Sequence, residues 1–86
     1  MYILQSVIIN KHKMNLDNAI RWMIKHDYKI HKMDETVNEY RFRQEDPKKI
    51  KKLGYRIYRT VLIDPKKDIQ LIIAYKEQQS PQYNYL

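Results

Sequence analysis

From Tyr2 to Ile9 the chain is apolar and rich in β-branched residues, broken only by Gln5 and Ser6, and it stops at the polar Lys11-His12-Lys13. A run of this length is too short to cross a bilayer as a helix, and it lacks the basic start and small-residue cleavage site of a secretory signal. It reads instead as a buried strand, Tyr2 to Asn10, which commits the chain to a sheet. The 86 residues suffice for one domain with a single modest core, and with no cysteine that core has to hold without disulfides or thiolate-bound zinc. Residues 1–76 are expected to form that domain. The polar, aperiodic stretch 77–86, which contains Pro81, reads as a flexible tail.

The remaining elements follow from periodicity and punctuation. Asn15 is placed to cap a helix running to about His26, with Asp17 in the first turn where the helix dipole favours an anion. Leu16, Ala19, Ile20, Met23 and Ile24 share one face of it, and Trp22 falls at the border, where packing against the sheet is the expected role. Lys29 to Met33 and Val37 to Gln44 flank the polar Asp34-Glu35-Thr36 as a hairpin would. Asp46-Pro47 opens a second, two-turn helix that Gly54 closes. Tyr55 to Ile63 and Ile69 to Tyr75 form a last hairpin around Asp64-Pro65-Lys66-Lys67-Asp68. The order β-α-β-β-α-β-β specifies an α+β fold: a small, mainly antiparallel sheet of about five strands, with both helices expected to cover one face and to leave the other open.

Seventeen Lys and Arg against ten Asp and Glu give a formal charge of +7, which attracts anionic partners without choosing among them. Two segments organise that charge with rings at strand spacing: Tyr40-Arg41-Phe42-Arg43 and Tyr55-Arg56-Ile57-Tyr58-Arg59. Strand alternation sets Tyr40 and Phe42 on one face and Arg41 and Arg43 on the other. If the two segments are neighbours, Arg41, Arg43, Arg56, Tyr58 and Arg59 make a surface for nucleic acid, single strands above all. Guanidinium groups there would meet phosphates, and tyrosines would stack on bases. Lys48, Lys49, Lys51 and Lys52 on the second helix would flank it as point charges. The competing reading of both features is a solvated sheet face and the wet side of an amphipathic helix.

Chemistry beyond binding finds little support in the residues. His12, His26 and His31 have no paired helical spacing, and no cysteine completes a metal set. Asp34-Glu35 reads as a turn and Glu45-Asp46 as a helix cap, while neither Ser6 nor Ser80 sits in a glycine-bounded nucleophile turn. No glycine-rich phosphate loop is present. No catalytic residue, metal or cofactor is therefore assigned, and the chain is expected not to be an enzyme.

Gln5-Ser6-Val7-Ile8, Ala19-Ile20-Arg21-Trp22-Met23, Lys25-His26-Asp27-Tyr28, Asp34-Glu35-Thr36, Tyr40-Arg41-Phe42-Arg43-Gln44 and Tyr58-Arg59-Thr60 together resemble a small domain found in predicted proteins of large DNA viruses and tailed phages. The Arg-Phe-Arg-Gln block followed by Pro47 is the most specific part, and the likeness extends to about Tyr75. It implies a viral or phage setting and the same α+β architecture, and it transfers no site. The combined expectation is a basic accessory module that binds nucleic acid. Its alternative is a structural or protein-interaction module, such as a virion component, a homo-oligomer or a subunit of a larger assembly. In either case it is expected to be soluble and intracellular, in host cytoplasm or nucleus or in the virion, with no membrane partner.

Overall fold

The computed structural model describes residues 1–76; the expected tail, 77–86, lies outside the described residues. Five strands and two helices follow the expected order: β1 (Tyr2–Asn10), α1 (Leu16–Lys25), β2 (Met33–Glu35), β3 (Glu39–Arg43), α2 (Pro47–Lys52), β4 (Tyr55–Asp64) and β5 (Ile69–Lys76). The strands make one sheet in the order β2-β3-β1-β5-β4, with every neighbouring pair antiparallel. The N-terminal run is thus the central strand, hydrogen-bonded on both sides. Since β1 and β2 are each antiparallel to β3, they run parallel to one another with β3 between them.

The helices do not share a face, which corrects the expected single covered side. In register, Val7 stands beside Phe42 and Leu71, and Ile9 beside Tyr40 and Ile69. These rows meet Ala19 and Met23 of α1 to form the main core, in which Val7, Ile9, Phe42, Ile69, Ala19 and Met23 are fully buried. On the opposite face Ile50, the one buried residue of α2, packs with Ile3, Tyr55 and Ala74. A six-residue helix covers only one end of that face. The rest is left to Ser6, Ile8, Gln70, Ile72, Arg41 and Arg43, which alternation places on the same side.

Local signals fix the element ends. The Asn15 side chain accepts the Asn18 amide at 2.9 Å, and Asp46 Oδ1 accepts the Lys48 amide at 2.9 Å with Pro47 in the first turn. After α1 the Tyr28 amide donates back to the Met23 carbonyl at 2.9 Å across Asp27, whose φ of 64° lies in the left-handed region that Asp tolerates better than most residues. Gly54, at φ 90°, ends α2 in a conformation that needs no Cβ.

The first hairpin is displaced from its expected place. Residues 29–32 are not a strand; β2 is Met33–Glu35, and the reversal is made at Thr36, whose amide donates to the Glu39 carbonyl and whose hydroxyl accepts the Glu39 amide. The cause is Gln44. Its side-chain amide donates to the Lys29 carbonyl and accepts from the Lys29 amide, each at 2.9 Å, so one side chain takes the pairing that a neighbouring strand would have made.

Because α2 is fastened through Ile50, shortening that side chain tests the second core. Ile50→Ala should cost about 2–5 kcal/mol in urea unfolding, and a loss below that range would show that Ile50 does not anchor the helix. The exposed Lys66→Ala in the turn after β4 serves as a control, expected within about 0.5 kcal/mol of the parent.

Candidate nucleic-acid interface

The structure separates the two basic-aromatic segments that the sequence grouped. Three inter-strand steps divide β3 from β4, roughly 14–15 Å across the sheet. That exceeds the screening length of about 8 Å at physiological salt, so the two sets of arginines act on an anion separately.

Arg41 and Arg43 do project away from Tyr40 and Phe42, which are buried. Arg41 is already engaged: its Nε lies 3.6 Å from Glu39 Oε1, and Asp34 is its partner in register on β2. Arg43 lies in a concavity shared with Lys29, His31, Lys32, Glu45 and Asp46, a mixed environment. On β4, Tyr58 shares the α2 face with the β3 arginines, but Arg59 is on the other face, its guanidinium 5.7 Å from the Tyr75 ring centre. Arg56 sits at a bulge between Tyr55 and Ile57. Lys48, Lys49, Lys51 and Lys52 are exposed on α2, which lies over β1, β5 and β4 on that face. Lys49 pairs with Glu45 at 3.3 Å. That ammonium, helped by the Asp46 amide, holds the Glu45 carboxyl below its ordinary range. The predicted surface is thus divided by a helix and partly neutralised by Glu39, Asp34 and Glu45.

A denser basic site lies on the opposite face, along the outer side of α1. Lys13 in the β1–α1 loop, Arg21 and Lys25 one turn apart on α1, and Lys67 in the β4–β5 turn line a single groove. Asp64 is the one carboxylate lining it, and its Oδ1 already accepts the Lys67 amide at 3.0 Å. The groove also holds the end of an aromatic stack. Trp22 stacks on Tyr28 at 5.8 Å on its way into the core and on His26 at 4.0 Å toward solvent, with ring planes within 24–26° of parallel. A 2.8 Å contact between His26 Nδ1 and the Trp22 carbonyl fixes the imidazole. An exposed, oriented ring is therefore presented among four cations.

The sequence reading places Trp22 at the border of the apolar face of α1, where the structure finds it half-buried against the core. What it misses is Lys67, which only the fold brings to α1: the β5–β1 pairing sets Ile69 beside Ile9 at the strand end where α1 begins. The available signal was helical spacing, which sets Asn18, Trp22 and His26 along one side of α1, beside a lysine-bearing turn with no partner assigned.

Among the described residues no group of three His, Asp or Glu side chains is placed to hold a metal ion, and no helix is long and apolar enough to cross a membrane. Trp22 is the sole tryptophan, so its emission reports on the groove. His26→Ala should alter that emission while shifting stability by no more than about 0.5 kcal/mol; an unchanged spectrum would mean that the ring stack is not formed in solution. No family model matches this chain, nor does any curated protein or solved structure, so the functional reading rests on geometry.

Proposed function

We propose that this domain is a non-enzymatic accessory module that binds nucleic acid, single strands in preference to duplex, along the α1 groove. The observation that carries the reading is the convergence of Lys13, Arg21, Lys25 and Lys67 on the exposed ring of His26, opposed by one carboxylate. Four cations at this spacing neutralise successive phosphates and release their counterions, which supplies affinity without sequence preference. The imidazole, backed by Trp22, offers a platform for a base, worth about 1–3 kcal/mol per base stacked. Only an unstacked base can use it, hence the single-strand preference. The Arg41, Arg43 and α2 lysine surface faces the other way and contributes long-range attraction to anions. The resemblance noted in the sequence gives the proposal its setting, an accessory protein of a large DNA virus or phage.

One structural feature favours the second reading, a protein-interaction module: the long β4 strand at the sheet edge, with several apolar side chains exposed.

Fluorescence anisotropy with labelled single- and double-stranded oligonucleotides over a salt series separates the possibilities. Arg21→Ala with Lys25→Ala should weaken single-strand binding and reduce the slope of log K against log salt by about 1.4, two phosphate contacts at 0.7 each. Arg41→Ala with Arg43→Ala should leave that slope nearly unchanged. The reverse pattern would move the site to the β3 face, and binding no stronger than that of an unrelated protein of equal charge would remove the function altogether.

A further inference from the structure

The two edges of the sheet are unlike. One is β2, three residues long; the other is β4, ten residues long and paired, among the described residues, with β5 alone. Natural edge strands are usually kept short or carry lysine or proline to discourage a further strand. β4 has neither residue; Arg56 and Asp64 fall at its bulged ends and Arg59 is the one charge within the regular ladder, while Ile57, Tyr58, Leu62 and Ile63 are 41–50 % exposed. Register shifts fall near its two ends, between Tyr55 and Ile57 and between Leu62 and Asp64, leaving Ile57 to Leu62 as a regular, uninterrupted ladder with an unused outer side.

We propose that this edge is a homodimer interface, in which β4 of one copy pairs antiparallel with β4 of a second about a two-fold axis at Thr60. The sequence of β4 selects both occupant and register. Directly opposed residues of an antiparallel pair share a sheet face, so a two-fold perpendicular to the sheet has to fall where a residue meets its own copy. At Thr60 the small hydroxyl side chain meets itself and Tyr58 lies opposite Leu62 of the second copy, all three within the regular ladder and on the α2 face. The aromatic-aliphatic pair therefore occurs twice, once on each side of the axis.

Neighbouring registers lose this complementarity. Centring on Arg59 sets two guanidinium groups against each other, and centring on Val61 sets Thr60 against Leu62 and leaves Tyr58 beyond the partner's regular ladder. Centring on Tyr58 leaves Leu62 to Asp64 with no strand to face. None of Tyr58, Thr60 and Leu62 lines the α1 groove, so dimerisation and nucleic-acid binding stand or fall independently.

The absence of native cysteine makes the axis directly testable in the full chain. Thr60→Cys brings two thiols face to face, within the Cα separation of about 4.4–6.8 Å that a disulfide requires. Leu62→Cys is displaced from its own copy by four residues, roughly 13 Å, and is out of reach. Under mild oxidation, non-reducing electrophoresis should show Thr60→Cys as a cross-linked dimer formed at least about tenfold faster than from Leu62→Cys. Light scattering of the unmodified chain should give a dimer, and Thr60→Arg, at a solvent-exposed position, should give a monomer of unchanged circular dichroism. A monomeric parent chain at high micromolar concentration overturns the proposal, whether because the edge stays open or because residues 77–86 lie along it. Equal cross-linking rates for the two cysteine variants overturn it as well.

Discussion

β1 is hydrogen-bonded on both edges and apolar on both faces, and a chain of this size cannot bury such a strand with one layer of helix. Every other element answers that demand. β3 and β5 satisfy its backbone, α1 closes over Val7 and Ile9, and α2 reaches the opposite face only at the end where Ile3 lies. Ile8, near the middle of that second face, has no helix of its own; it is 4 % exposed, flanked in register by Arg41 and Gln70. Long polar side chains that carry an aliphatic stem suit this position, since they shield a central isoleucine and still end in water. The β3 arginines thus have a structural occupation whatever they bind.

The separation of charge follows from the same arrangement. A helix on each face divides the basic residues into two populations, one along the outer side of α1 and one spread over β3 and α2. The second population is met by Glu39, Asp34 and Glu45, while among the described residues Asp64 is the one carboxylate lining the groove of the first, with Asp17 a turn before Arg21. Total charge is therefore a poor guide to where an anion settles. A concavity with few carboxylates and an ordered ring outweighs a larger number of dispersed cations, because field and stacking act together only at short range.

Much of the architecture was legible in the chain. Asn15, Asp46-Pro47 and Gly54 punctuate the helices as their chemistry requires, and the alternation of Tyr40 and Phe42 with Arg41 and Arg43 gives both the strand and its buried side. The first hairpin was misplaced because Gln44 supplies from a side chain the two bonds that Lys29 would have sought in a ladder, a substitution no local propensity encodes. The two basic-aromatic segments fail to meet for a different reason. Spacing along the chain made Arg43 and Arg56 look adjacent, whereas α2 carries the chain across β1 and β5 to the far edge, and the same topology brings Lys67 to Arg21 from much further away in sequence. Short-range pattern fixes which residues face water; only strand order decides which of them meet.

The unequal edges bear on how far any association of this sheet can propagate. A strand added along β4 finds a full ladder, but the opposite border offers only Met33–Glu35 before the chain turns at Thr36, with Asp34 and Glu35 in the short strand and Lys11 bridged to Glu35 across it. Joining at the long border leaves only two blunt ones outside, so growth arrests after a single step. A ribbon terminated in this way is a closed object rather than the start of a fibre.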